Sequence, residues 1–110
     1  MITTHVLDTA QGKPAAGVEV TLELCSPDGG WVLIGQGKTD ADGRLRSLSP
    51  PEIAAGRYRI SFETAAYFAQ QNTPAFYPEV RIVFEVPERG AHFHLPLLLA
   101  PYGYSTYRGS

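Results

Sequence analysis

Val18-Glu19-Val20-Thr21-Leu22-Glu23-Leu24 places an apolar side chain at every second position. That is the period of a strand with one face buried and one face wet; a helix would return its apolar residues every three or four positions. The pattern recurs twice. Tyr58, Ile60 and Phe62 alternate with Arg57, Arg59, Ser61 and Glu63, and Val80, Ile82, Phe84 and Val86 alternate with Arg81, Val83 and Glu85. Turn chemistry separates the runs: Gln11-Gly12-Lys13-Pro14, Pro27-Asp28-Gly29-Gly30, Asp40-Ala41-Asp42-Gly43, Glu88-Arg89-Gly90 and Pro101-Tyr102-Gly103. Asp and Gly supply the backbone geometries such turns need. The expected fold class is all-β, with eight short strands in a two-sheet sandwich. Thr64 to Gln71 lacks alternation and contains helix formers, so one short helix is expected there with Thr64 as its cap.

The chain of 110 residues fits one domain, residues 1–110, with no repeat or linker to divide it. Its formal charge of -2, with 18% charged residues, argues against nucleic acid. The longest basic stretch, Arg44-Leu45-Arg46, is too short to track a phosphate backbone. No run is long and apolar enough to span a bilayer, and no signal peptide is visible, so no membrane partner is expected. The single cysteine, Cys25, cannot form an intrachain disulfide and is read as apolar filler, which makes a cytoplasmic home the simpler expectation.

The chain has three histidines, and His92-Phe93-His94 is the most informative triplet. In a strand, residues i and i+2 point the same way, so both imidazoles share a face. With His5 from the first strand they can bind zinc, form an acid/base pair for hydrolysis, or be polar residues on a wet face. Arg44 follows the Asp42-Gly43 turn, where a side chain projects from a strand end. Asp8 is expected to make local turn bonds. The tail from Pro101 to Ser110 carries Tyr102, Tyr104, Tyr107 and Arg108, and Ser105 and Tyr107 share a face. Tyrosine is favoured at interfaces and binding sites. No Gly-x-Ser-x-Gly elbow, phosphate-binding glycine loop or Cys-x-x-Cys pair is present.

Three segments together resemble the 5-hydroxyisourate hydrolases, enzymatic relatives of transthyretin. They are Thr4-His5-Val6-Leu7-Asp8, Asp40-Ala41-Asp42-Gly43-Arg44, and the tail from His92 through Tyr107-Arg108-Gly109-Ser110. The resemblance spans essentially the whole chain, and the terminal Tyr-Arg-Gly-Ser is its most specific part; transthyretin itself lacks it. The resemblance implies a transthyretin-like sandwich of eight strands and one short helix. It also implies a homotetramer, a dimer of dimers with active sites facing a central channel. The implied substrate is the small molecule 5-hydroxyisourate, formed by urate oxidation, and the implied reaction is hydrolytic opening of its six-membered ring without a cofactor or metal. Carried over by position, His5, Arg44 and His94 are catalytic. Tyr107, Arg108 and Ser110 close the substrate pocket, with His92 in support.

Two positions stand apart. Ala100 replaces the serine that the resemblance leads one to expect, and is read as lying away from the channel face. Pro96 falls inside a strand, where it removes a ladder donor, so a local irregularity is expected there.

Overall fold

Nine strands and one helix form the fold of the computed structural model, which describes residues 1–110. The strands are β1 (Ile2–Asp8), β2 (Lys13–Pro14), β3 (Glu19–Cys25), β4 (Trp31–Lys38), β5 (Arg44–Leu45), β6 (Gly56–Phe62), β7 (Val80–Val86), β8 (Phe93–Ala100) and β9 (Gly103–Thr106). The helix α1 (Thr64–Ala69) lies between β6 and β7. One sheet runs β2-β1-β8-β9, with β5 also paired to β1; the other runs β4-β3-β6-β7. The expected sandwich is therefore the fold. The strand count is nine and not eight: seven longer strands are joined by two, β2 and β5, that are only two residues long. Lys13–Pro14, expected as part of a turn, pairs with Leu7 and Asp8.

The alternations sort as the period requires. Val18, Val20, Leu22, Tyr58, Ile60, Phe62, Val80 and Val86 are buried together with Ile2, Val6, Leu97 and Leu99 from the facing sheet. Ile82 and Phe84 keep the inward parity of β7 but are only half-buried. They stand where the sandwich gapes between β7 and the tail. No helix is long and apolar enough to cross a membrane.

Thr64 is the first residue of α1 and not its cap. Glu63 holds the cap position, and the Thr64 hydroxyl is buried without a partner. Sequence pattern alone does not distinguish a capping threonine from one turned into the sheet. Asp8 makes its expected local bond, accepting from Gln11 N at 3.0 Å. It is also fully buried and accepts from the Tyr67 hydroxyl at 2.8 Å, which ties α1 to the end of β1.

Two features of the first sheet place the site. Strands β1 and β8 run parallel in unbroken register from Ile2↔Phe93 to Asp8↔Leu99. Ile2, Thr4, Val6 and Asp8 therefore face the core with Phe93, Leu95, Leu97 and Leu99. Thr3, His5 and Leu7 face outward with His94, Pro96 and Leu98. By the same parity Ala100 lies on the outer face with His94, which corrects the expectation that it points away. The second feature is Pro96. The register pairing Leu97 with Thr106 also pairs His94 with Gly109, but the ladder fails between them. Pro96 has no N–H to give. Its carbonyl accepts instead from the Thr106 hydroxyl at 2.7 Å. Tyr107 and Arg108 are thus released from the sheet, so the final strand stops at Thr106, and Gly109 rejoins it by donating to the His94 carbonyl at 2.8 Å.

Candidate active site

The turn before β5 is built by Asp40. One of its carboxylate oxygens accepts from Asp42 N and Arg44 N, both at 2.9 Å. The Arg44 amide bond in particular holds the Asp40 carboxyl below the ordinary carboxylate range. Gly43 adopts φ 76°, and a Cβ there would lie 2.4 Å from the Val6 carbonyl oxygen, so the turn requires glycine. The result is an Arg44 fixed at a strand end and paired directly with His5 across β1 and β5. His5 Nε2–H donates to the Asp42 carbonyl at 2.8 Å. In a neutral ring this leaves Nδ1 as the free lone pair.

His94 stands on the neighbouring strand, with Thr3 as its register partner. Thr3 Oγ1 lies 2.8 Å from His94 Nδ1 and 3.3 Å from His92 Nε2. Burial pushes the His94 imidazolium down, and the nearby Arg44, His5 and His92 push it further the same way. Both effects favour the neutral ring, the form that can accept a proton.

A cavity of about 320 Å³ is lined by Met1, Thr3, Thr4, Arg44, Arg46, His92, His94 and Ser110. A second cavity, of about 390 Å³, holds Tyr107 and Arg108 beside Phe84, Phe93 and Leu95. His94 lines both. The structure thus brings Arg44, His92, His94 and Ser110 together and sets Tyr107 and Arg108 on the far side of the His94 wall. The Arg108 guanidinium sits 4.6 Å above the Phe93 ring centre, and Tyr107 is 58% exposed. His5 lines neither cavity but borders the site through Arg44. No three His, Cys, Asp or Glu side chains converge as a metal-binding group.

Charge pairing is uneven across the molecule. Lys38, Arg57, Arg59, Arg81 and Arg89 each have a glutamate partner. Arg44, Arg46 and Arg108 have no acidic partner, and all three stand around His94. The unneutralised guanidinium groups of Arg44 and Arg46 share one cleft and there attract an anionic, oxygen-rich ligand, with Arg108 in the adjoining cavity across His94.

Three residues escaped the sequence reading. Arg46 was visible as the second arginine of Arg44-Leu45-Arg46, which on an extended backbone shares a side with Arg44. Thr3 carried no signal beyond lying two residues before His5. Gly109 is needed because a Cβ there would meet the His94 ring carbon Cδ2 at 2.8 Å. Replacing Gly109 by alanine is expected to shift that ring and lower kcat by about 10–100-fold, since small misplacements at a site are costly. The melting temperature should barely change, because the shift is confined to the tail and the half-buried His94 ring and leaves the core untouched. Steady-state kinetics beside a thermal melt checks both.

The two-sheet order and the His–Arg outer face together define a transthyretin-type sandwich with a polar, cationic cleft. The HIUase/Transthyretin family profile matches residues 2–109, and the chain belongs to that family. The 5-hydroxyisourate hydrolase of Salmonella typhimurium is 47% identical over all of this chain, which covers 81% of that protein. The solved structure of Klebsiella pneumoniae 5-hydroxyisourate hydrolase is 41% identical, with a TM-score of 0.84 over 99% of this chain and 98% of that one. Transthyretin from Sparus aurata is nearer in backbone, with a TM-score of 0.93 over 98% of this chain and 95% of that one, but is only 34% identical.

Proposed function

We propose that this single domain, residues 1–110, hydrolyses 5-hydroxyisourate, opening its six-membered ring at a cyclic amide bond in urate degradation. The observation that carries the reading is the strand register that sets Arg44 opposite His5, with His94 lining the same cleft as Arg44 and Arg46, neither of which has an acidic partner. The sequence likeness to the hydrolases supports it over a transthyretin-like carrier, because backbone similarity reports the fold while the cleft residues report the chemistry.

The chemistry needs an attacking water, a stabilised carbonyl oxygen and a proton for the leaving nitrogen. His94 Nε2 takes the water proton, and the resulting hydroxide bonds to the ring carbonyl carbon. Arg44 polarises the carbonyl oxygen and holds the anion; such a donor stabilises charge that develops in the transition state. His5 is held with Nδ1 free to accept from the same water. The C–N bond breaks as the nitrogen takes the proton from His94, leaving an opened ring and a carboxylic acid, which releases its remaining proton to solvent as the carboxylate. His92 supports His94, and Ser110, which lines the same cavity, orients the ring; Tyr107 and Arg108, in the adjoining cavity across His94, close the site on that side against bulk water. No metal or cofactor takes part.

The exposed edges β7 and β9 and the half-buried Ile82 and Phe84 support assembly into a homotetramer with the sites on its inner channel. A single cysteine supports a cytoplasmic setting. Freshly generated 5-hydroxyisourate loses its ultraviolet absorbance unaided, so the test is acceleration. Protein should speed the decay severalfold or more at catalytic concentration and elute with the mass of four chains by light scattering. Decay at the spontaneous rate would overturn the hydrolytic reading; a monomer with full activity would overturn the assembly.

A further inference from the structure

Thr3 is a buried residue, only 7% exposed, and its hydroxyl lies between two imidazoles on the outer face of the first sheet. Its oxygen is 2.8 Å from His94 Nδ1 and 3.3 Å from His92 Nε2. A hydroxyl can accept and donate at once, so it can join the two rings into one hydrogen-bonded chain. The chain runs outward, from half-buried His94 through buried Thr3 to exposed His92.

We propose that Thr3 and His92 form a proton relay beside His94, through which the positive charge generated by water activation passes from half-buried His94 to exposed His92 on the rim of the same cavity. This rests on the hydrolytic reading above. Before reaction His94 carries its proton on Nδ1, donating to Thr3, and Thr3 donates to His92 Nε2. As His94 Nε2 takes the water proton, the Nδ1 proton passes to the Thr3 oxygen and the Thr3 proton passes to His92. His94 stays neutral throughout, and His92 becomes the imidazolium. When the C–N bond breaks, His94 gives its Nε2 proton to the leaving nitrogen. The His92 proton returns through Thr3 to His94 Nδ1, and the site is reset.

The surroundings explain the need. An imidazolium at His94 would face Arg44 from β5, His5 from β1 and His92 from its own strand, with Arg46 lining the same cavity. A half-buried cation among these groups is costly. His92 is exposed, so water solvates its charge. Thr3 and His92 act only through His94 and are positioning residues.

The test is kinetics on the full chain with Thr3→Val, Thr3→Ser, His92→Asn and the Thr3→Val/His92→Asn double variant. Thr3→Val and His92→Asn are each expected to lower kcat about tenfold, a modest share of general-base catalysis, with KM within about twofold. Because the two act in series, the double variant should be no slower than the slower single variant. Thr3→Ser should restore most of the rate. The solvent isotope effect of the wild type should report more than one proton in flight, and that of Thr3→Val only one. Unchanged kcat in His92→Asn overturns the relay, and that exposed variant decides the matter even where Thr3→Val fails to fold. Losses that multiply in the double variant overturn it as well, because they mark two independent effects. A wild-type protein that leaves 5-hydroxyisourate at its spontaneous decay rate removes the hydrolytic reading itself. A wild type that turns over while His92→Asn keeps its kcat removes the relay alone.

Discussion

Replacing His94 by asparagine is expected to lower kcat by about 10²–10⁴-fold, the usual worth of a positioned general base. KM and the melting temperature should change little. Asparagine keeps a polar group near Thr3, and the β8 backbone bonds, including the one from Gly109, do not involve the ring. The pH dependence carries the same information. In the proposed role His94 must be neutral to act, and burial followed by Arg44, His5 and His92 lowers its affinity for a proton. A lowered value means that the neutral base persists as the medium becomes more acid. The acid limb of kcat/KM should therefore fall below the ordinary histidine value of about 6.5, not at it. A pH–rate profile between about pH 4.5 and 8 measures this directly; a limb above the ordinary value would contradict the arrangement of charges.

Replacing Arg44 by alanine is the second large effect, with an expected loss of about 10²–10³-fold in kcat, as for removal of one charge-stabilising donor. KM should rise as well, because in the proposed mechanism the same guanidinium holds the anion. Stability should change little: the turn is fixed by the Arg44 backbone N–H and Gly43, and the side chain has no acidic partner. The two predictions are linked. With Arg44 gone, one of the charges that lowers His94 is removed, so the acid limb of whatever rate remains should move up toward the ordinary histidine value. Arg44→Lys should recover only part of the loss, since an ammonium keeps the charge but not the planar fork. Measuring kcat and KM separately, with the acid limb for each variant, distinguishes these effects.

Much of this was legible in the chain because strand parity is a local property. The alternations at Val18, Tyr58 and Val80 set the layers, and Asp42-Gly43 announced the turn that fixes Arg44. The His92-Phe93-His94 spacing announced a shared imidazole face. Pro96 announced an irregularity, and the structure shows what it does: it ends the ladder and frees Tyr107 and Arg108. What stayed hidden depends on which distant segments meet. Thr3 matters because parallel pairing sets it opposite His94, across 91 positions of sequence. Gly109 matters because the tail folds back over that ring. The Tyr67–Asp8 bond needs α1 to be docked before it exists. Lys13–Pro14 reads as a turn because two-residue ladders leave no period to detect.

The measurement that bears most directly on the proposed chemistry is the ultraviolet decay of freshly generated 5-hydroxyisourate, run with the wild-type protein and the His94→Asn variant side by side after exhaustive chelation. Rapid decay with the chelated wild type and near-spontaneous decay with the variant is the predicted result. It would place a cofactor-independent hydrolase at the Arg44–His94 cleft. Equal acceleration by both proteins would move the chemistry away from His94, and activity that vanishes on chelation and returns with zinc would contradict a metal-free site.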